Sequence, residues 1–197
     1  MTSRLSDAVL DQLFREARTH NAWQAKDVPD SLLEEIVDVM KMGPTSANCL
    51  PARIIFVRSD AAKQRLAPFL SDANRTKTLA APVCAILAND MAFYEHLPRL
   101  FPHNQSARTW FEGNDAVIQA TAMRNGSLQG AYLMLAARAM GVDCGPMSGF
   151  DSAGVDREFF PDGRVKTNFL CNLGYGDPTG LFARSPRFAF DEIAKII

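Results

Sequence analysis

The sequence is poor in the residues that build metal sites and disulfide scaffolds. It has four cysteines and three histidines in 197 residues, and Cys49, Cys84, Cys144 and Cys171 form no CxxC pair. No histidine lies close enough in sequence to complete a ligand set, so neither a metal site nor a disulfide framework is expected. Three thiols are expected to be small buried apolar groups. Cys49 lies in a loop of small polar residues and could also line a pocket.

An excess of charge and long apolar runs are missing as well. The formal net charge is −1, so there is no basic field for nucleic acid or for an anionic membrane surface. The longest apolar run, LAAPVCAILA, is too short to cross a bilayer. The N-terminus lacks the uninterrupted hydrophobic region of a signal peptide. We therefore expect a cytoplasmic protein whose residues 1–197 form a single domain.

Motifs for nucleophilic or nucleotide-binding chemistry are also absent. There is no Walker loop, HExxH or GxSxG. GYGDPT lacks the third glycine of a dinucleotide fingerprint and leads into Pro178 rather than into a helix. The histidines have no recognisable serine or cysteine partner. Any catalysis must therefore depend mainly on something that the chain binds.

What the sequence does contain is a hydrophobic pattern typical of an α+β fold. A first helix is predicted at 6–18 and a second from Ser31, with a capping box to Glu34, as far as Gly43-Pro44. A short third helix follows Asp60 as N-cap, and two more are predicted at 116–140 and near 151–160. Strands are predicted at 53–57, 82–87 and 165–177, with a short extended piece and a tight turn in 142–151. Regular βαβ alternation is missing, so the pattern favours a small sheet with helices over a Rossmann domain.

Two segments lack a clear period. Residues 91–112 are rich in aromatic residues and are predicted to form an irregular segment that extends from the core, which we call the excursion. Its aromatic rings could form a lid over a pocket or cover the core. The tail, residues 181–197, ends in apolar residues without an obvious local partner and could pack on a second chain.

Several polar residues lie where predicted elements end. Guanidinium groups bind phosphate through two hydrogen bonds and keep their charge, whereas amide and ammonium groups suit the edge of a polar ring. The candidates are Arg18, Asn48, Asn74, Lys77, Arg184, Arg187 and the backbone of the PMSG turn at 146–149. For any one arginine alone, an ordinary solvated surface residue is the competing interpretation.

Five stretches in order along the chain resemble the nitroreductase family of FMN enzymes. They are EARTHNAW, MGPTSANCLPARIIFV, NRTKTLAAPV, AMRNGSLQGAYLMLAARAMGVDCGPMSGFD and NLGYGD followed by FARSPR. Within the family they are most similar to the malonic semialdehyde reductases of uracil breakdown. The resemblance implies a mostly antiparallel central sheet flanked by helices. It also implies an intertwined homodimer with an exchanged C-terminal tail and two FMN sites at the subunit interface.

The resemblance also assigns roles to individual residues. The phosphate and ribityl end of FMN would be held by Arg18, Thr19, His20, Arg184 and Arg187, with Asn21 nearby. Asn74 and Lys77 would face the pyrimidine edge of the ring, and Pro146, Met147, Ser148 and Gly149 would lie along it. Pro44, Thr45, Ser46 and Asn48 would come from the other subunit and close over the cofactor.

The activity that follows is an NAD(P)H oxidoreductase in which hydride passes through flavin N5 with ping-pong kinetics. Lys77 near N1 and O2 would make the cofactor easier to reduce. The implied reaction is reduction of malonic semialdehyde to 3-hydroxypropionate in pyrimidine degradation, with His20, water or a ribityl hydroxyl as proton donor. Alternatives are a broad nitro- or quinone-reducing enzyme of the same family, a flavin-binding protein without turnover, and a purely structural dimer. The sequence does not choose between NADH and NADPH.

Overall fold

Four strands and eight helices alternate irregularly along residues 3–197, the part of the chain that the computed structural model describes. The helices are α1 (Asp7–Leu10), α2 (Asp30–Met40), α3 (Asp60–Leu66), α4 (Asp72–Ala80), α5 (Leu97–Leu100), α6 (Asp115–Ala139), α7 (Ser152–Phe159) and α8 (Phe190–Ile193). A π-helical turn, Asp11–Arg15, extends α1. The strands are β1 (Ala52–Val57), β2 (Val83–Asp90), β3 (Asp143–Met147) and β4 (Val165–Gly174).

The sheet has the strand order β1-β2-β4-β3, and every neighbouring pair is antiparallel. Strands β1 and β3 are therefore its two edges. Ile86 of β2 pairs with Ile55 on one side and with Leu170 on the other. Every residue of β2 is buried because both faces of this central strand are covered, which explains its nearly continuous apolar sequence.

Side-chain alternation along β2 divides the interior into two cores. Ala85 and Leu87 pack in one core with residues of α2 and α6, whereas Cys84 and Ile86 pack in the other with residues of α3 and α7. Successive residues of a strand point to opposite faces of a sheet. The molecule thus has three layers, with the sheet between two sets of helices.

Several predicted helix boundaries are wrong. The first helix ends at Arg15 rather than at residue 18, so residues 18–21 lie outside the helix. No capping box forms, because α2 starts at Asp30 and its N-cap position is Pro29, which makes no side-chain hydrogen bond. The N-cap of α3 is Ser59, whose hydroxyl oxygen accepts a hydrogen bond from the Ala62 N–H at 3.2 Å.

Helix α4 was not separately predicted. A single short helix was expected between β1 and β2, but the chain forms α3, a 3-10 turn at Ala67–Phe69 and then α4. The α4 sequence DANRTKTLA is mostly polar and has little apolar periodicity. Its helical state depends on tertiary contacts such as the hydrogen bond from the Asn172 side chain to the Thr78 hydroxyl at 3.2 Å.

The excursion, residues 91–112, forms short helical turns around a small third core. Phe93 and Phe111 are buried edge to face with ring centroids 4.9 Å apart, and they pack in the same core as Cys49. Burial raises the pKa of the Cys49 thiol to about 11. Cys49 is 0% exposed, so it belongs with the other three buried thiols rather than on a pocket wall.

The tail runs over the surface of the protein and is exposed from residue 182 to residue 197. Its large apolar side chains are mostly exposed within the described residues; they are Phe182, Phe188, Phe190, Ile193, Ile196 and Ile197. Several exposed large apolar side chains in one short segment are unusual for a surface that faces only water. Separately, none of the helices described is long and apolar enough to span a membrane.

Candidate functional site

The two ends of the chain meet at the β3 edge of the sheet. Beyond α1 the backbone runs extended beside β3, where Thr19 forms a bridge with Cys144 and the His20 N–H donates to the Cys144 carbonyl at 3.0 Å. The segment after β4 returns to the same place, where Trp23 forms a bridge with Gly176. These contacts bring residues 18–21 next to the start of the tail.

A cavity of about 780 Å³ lies at this junction. We call it the arginine pocket, because its lining includes Arg15, Arg18, Arg138, Arg184 and Arg187. Thr19 and Asn21 also line it. The structure thus brings together five of the predicted cofactor-binding residues from two distant parts of the chain.

Most of the positive charge in the arginine pocket is not neutralised. Arg15 pairs with Asp7 and Asp11 at 2.9 and 2.7 Å. Each of the other four arginines donates to a backbone carbonyl: Arg18 to Phe182, Arg138 to Leu13, Arg184 to Ala17 and Arg187 to Ser185. None of these four contacts a carboxylate in residues 3–197. Such a group of guanidinium N–H donors is suited to a phosphate.

Sequence reasoning missed two members of the pocket, Arg15 and Arg138. Arg138 lies in the last turn of α6, where its carbonyl accepts a hydrogen bond from the Gln12 side chain at 2.7 Å. This contact joins segments 126 residues apart. No local pattern singles out Arg138, since only the packing of α6 against the π-helical turn brings it to the pocket.

Helix α4 places two further candidates beside the pocket. Asn74 and Lys77 are one turn apart, a spacing that puts them on the same face of a helix. Lys77 Nζ donates to Asn21 Oδ1 at 3.1 Å, and Asn74 Nδ2 donates to the Gly149 carbonyl at 2.9 Å. Burial lowers the pKa of Lys77. We call Asn21, Asn74, Lys77 and Gly149 the polar ledge.

Gly149 lies in close contact with the side chains of Asn74 and Ser71. A Cβ atom there would lie 2.6 Å from Asn74 Nδ2 and 2.9 Å from Ser71 Oγ, closer than real contacts allow. The Ser71 N–H also donates to the Gly149 carbonyl at 3.1 Å. A side chain at position 149 would therefore displace the Asn74 amide and the Ser71 hydroxyl from their observed positions.

The other residues of the PMSG segment lie partly at the surface and partly in the interior, and Pro146 and Met147 end strand β3. Ser148 and Gly149 are exposed and Pro146 is half-buried. The Met147 side chain is buried, and its sulfur accepts a hydrogen bond from the Thr78 hydroxyl at 3.5 Å. A ligand on the ledge would therefore meet Met147 through its backbone.

His20 lies inside the junction, and its side chain does not line the arginine pocket. The residue is only 7% exposed, and its Nε2 is 3.5 Å from Asp143 Oδ1. Its Nδ1 has no hydrogen-bond partner among the described residues. The ring lies against Gly176, where a Cβ atom would be 1.9 Å from Nδ1. This position suits a residue that packs the two chain ends together better than a proton donor.

The remaining candidates form the loop 44–50, which lies elsewhere. The Pro44 carbonyl accepts a hydrogen bond from the Tyr132 hydroxyl of α6 at 3.0 Å. Asn48 Nδ2 donates to the Leu100 carbonyl of α5 at 2.8 Å, and Thr45 Oγ1 accepts from the Leu50 N–H at 3.3 Å. Pro44, Ser46 and Asn48 are exposed.

Within one chain, the loop 44–50 is far from the other candidate residues. The ledge adjoins the edge strand β3 and the helix layer that contains α4, and the arginine pocket lies beside it, where the last turn of α6 meets the two chain ends. The loop leads into the opposite edge strand, β1, and packs on α6 in the other layer. Four strands at about 4.8 Å spacing put roughly 14 Å between the two edges. No hydrogen bond within the described residues joins the loop to the pocket or the ledge.

Comparison with known proteins decides the family. The sequence profile described as "Nitroreductase family" matches residues 14–175. The chain belongs to the nitroreductase family. The chain is 65% identical over 192 residues to a candidate NADH dehydrogenase/NAD(P)H nitroreductase of Burkholderia lata, and the match covers 98% of both chains.

Solved structures confirm the nitroreductase-like fold. A candidate nitroreductase of Bacillus subtilis superposes with a TM-score of 0.88 at 18% identity, covering 98% of this chain and 100% of the other. A candidate nitroreductase of Exiguobacterium sibiricum, solved in complex with FMN, superposes with a TM-score of 0.85 at 18% identity, covering 100% of both chains. The predicted α+β architecture with an antiparallel sheet is therefore correct.

Proposed function

We propose that this member of the nitroreductase family is an FMN-dependent NAD(P)H oxidoreductase. The observation that carries the proposal is a set of four arginines that contact no carboxylate within residues 3–197 and that lie directly beside the polar ledge. The name of the Burkholderia relative, which includes the words NAD(P)H nitroreductase, and the FMN complex of the Exiguobacterium protein support the same assignment.

The residues present suit FMN, whose phosphate, ribityl chain and ring would each contact a different group of them. Arg18, Arg184 and Arg187 would hold the phosphate, with Thr19 and Asn21 beside the ribityl chain. Asn74 and Lys77 would meet the pyrimidine edge, and the exposed backbone at 148–149 would lie along the ring. Gly149 permits that close approach because it lacks a side chain.

When bound, the flavin would supply the hydride-accepting and hydride-donating centre at N5. The chain's own part is to bind and orient it and to set its electrostatic environment. Lys77 would favour the negative charge that reduction brings to the pyrimidine side of the ring. Partial burial makes this effect stronger than in water, since charges interact more strongly at lower dielectric.

We further propose a homodimer in which the loop 44–50 of one chain closes over the cofactor held by its partner. The loop and the ledge lie at opposite sheet edges, so a twofold arrangement can bring them together where one chain does not. Pro44, Thr45, Ser46 and Asn48 would then contact the ring from across the interface. The exposed tail would pack on the partner, as an exchanged segment.

The proposed substrate is malonic semialdehyde, which would be reduced by NAD(P)H and a proton to 3-hydroxypropionate. The sequences ARTHNAW and PMSGFD support the malonic semialdehyde reductase branch of the family. A broad nitro- or quinone-reducing activity is the second candidate, favoured by the name of the Burkholderia relative.

Steady-state kinetics would separate the two activities. We expect the highest kcat/KM with malonic semialdehyde when it is compared with a nitroaromatic and a quinone, and parallel double-reciprocal lines typical of a ping-pong mechanism. A clear preference for the nitro compound or the quinone would reject the aldehyde. Failure of both NADH and NADPH to bleach the bound flavin under anaerobic conditions would reject an enzymatic role.

Cofactor binding can be tested separately from turnover. Arg18→Ala removes a charged hydrogen-bond donor, which is worth about 1.5–3 kcal/mol and so raises the Kd for FMN roughly 10- to 150-fold. Arg157→Ala is the matched control, because this α7 side chain is 74% exposed and lies outside the pocket. Equal FMN affinity in the two variants would mean that the phosphate binds elsewhere.

A further inference from the structure

The middle of α6 carries three polar side chains on a buried face. Thr121, Asn125 and Gln129 recur every fourth residue, and they are 7%, 1% and 3% exposed. Burying an amide is unfavourable unless its hydrogen bonds are made. The partners of these amides therefore indicate what the polar face holds.

Both amides accept hydrogen bonds from the backbone around the loop 44–50. Asn125 Oδ1 accepts from the Ser46 N–H at 2.8 Å, and Gln129 Oε1 accepts from the Ala52 N–H at 2.8 Å. Asn125 Nδ2 donates to the Thr121 carbonyl at 2.8 Å, which orients the amide. Helix α6 thus holds the backbone at both ends of the segment from Ser46 to Ala52.

The backbone between these two hydrogen bonds has an uncommon conformation. Ala47, Asn48 and Leu50 have φ values of 50°, 49° and 39°, in the left-handed region that side chains other than asparagine rarely adopt. Three such residues in one short loop persist only where their surroundings determine the conformation. The two amides of α6 meet that requirement.

We infer that Asn125 is a positioning residue for the cofactor site. It holds Ser46 in place, and thereby presents the side chains of Ser46 and Asn48 to the FMN bound by the partner subunit. Gln129 has the same role at the β1 end of the loop. Neither amide touches the cofactor. The inference depends on the proposed function, because it assumes that the loop contacts FMN across the interface.

The first test compares FMN binding by two α6 variants. Asn125→Leu keeps the side-chain size but leaves the Ser46 N–H without an acceptor. If it lowers the population of the binding conformation to a tenth, the Kd for FMN rises about tenfold. Thr121→Val is the matched control: it is buried on the same face, makes no side-chain hydrogen bond to the loop, and should leave the Kd unchanged.

The measurement is fluorescence quenching of FMN titrated with apoprotein, with thermal unfolding of the apoproteins alongside. Gln129→Leu provides a second variant if Asn125→Leu does not fold, with an expected rise in Kd of about threefold. Unchanged Kd in a folded Asn125→Leu protein would overturn the inference. So would equal increases in Kd for Asn125→Leu and Thr121→Val, because they would indicate a general loss of core stability.

Mixed dimers test whether Asn125 acts across the interface. In a dimer of one Arg18→Ala chain and one Asn125→Leu chain, both lesions fall on the same site if the loop serves the partner. The other site is then intact and should bind one FMN per dimer with wild-type affinity. If the loop serves its own chain, each site carries one lesion and no site of wild-type affinity remains, which overturns the inference.

The outcomes also separate this inference from the proposed function. A colourless wild-type protein that does not bind added FMN, or a monomer in solution, would reject the proposed function itself. Normal FMN binding by the wild type, together with wild-type affinity in Asn125→Leu, would reject only the positioning role.

Discussion

Replacing Asp90 with asparagine should lower the stability of the protein far more than an equivalent change on its surface. Asp90 ends β2, and its side chain is 3% exposed. It accepts hydrogen bonds from Arg53 at 2.5 Å, from Arg164 at 2.8 Å and from the Ala92 N–H at 2.9 Å. Through Ala92 it also anchors the start of the excursion, residues 91–112.

The expected loss follows from this arrangement. Removing one partner of a buried ion pair typically costs about 3–5 kcal/mol. Here the side chains of Arg53 and Arg164 are 35% and 36% exposed, and asparagine keeps one acceptor, so water compensates part of the loss. We therefore expect about 2–3 kcal/mol, which lowers the Tm of a chain of this length by roughly 4–12 °C.

Thermal unfolding of the FMN-free proteins at one fixed concentration is the assay, since ligand binding and assembly both change an apparent Tm. Asp72→Asn is the matched control. Asp72 pairs with Arg75 at 2.9 Å, but its side chain is 93% exposed, and such a pair contributes no more than about 1 kcal/mol. Equal Tm losses in the two variants would refute the reasoning from burial.

The pH dependence provides a second check with a definite sign. Burial alone would raise the pKa of Asp90, but the hydrogen bonds from Arg164 and Ala92 and the charges of Arg53 and Arg164 outweigh it, so the pKa is lowered. The stabilisation is therefore complete above the unfolded-state pKa of about 3.9 and is lost as the pH falls through the folded-state value. The Tm difference between wild type and Asp90→Asn should be constant near neutral pH and shrink in acid.

Three further changes test the site and the assembly. Gly149→Ala should raise the Kd for FMN about tenfold, because its Cβ would lie 2.6 Å from Asn74 Nδ2; unchanged affinity in a fluorescence titration would contradict the ledge. Lys77→Met should make the FMN reduction potential more negative by about 30 mV, a tenfold change for two electrons, and an unchanged value in a redox titration would place Lys77 away from the ring. Phe188→Ser with Phe190→Ser should shift a dimer toward monomer in light scattering, because these rings are 72% and 63% exposed in their own chain; an unaltered dimer mass would exclude the tail from the interface.

The sequence by itself determined the elements whose burial is periodic or complete. Helix α6 and strand β2 were predicted close to their observed extents, because a long run of helical pattern and a short run of apolar residues are local signals. The resemblance to the nitroreductase family, which the family profile confirms, likewise needed only the order of residues along the chain. Helix α4 has no comparable pattern, since its residues are polar and its packing is held by contacts from β4.

Only the tertiary structure decided how the candidate residues are grouped. Arg138 joins the arginine pocket because α6 ends against the π-helical turn, and His20 lies inside the junction because Gly176 lets the two chain ends approach closely. The loop 44–50 lies at the other edge of the sheet, so the predicted site is divided within one chain. Distances between residues far apart in sequence depend on strand order and layer packing, which no local pattern contains.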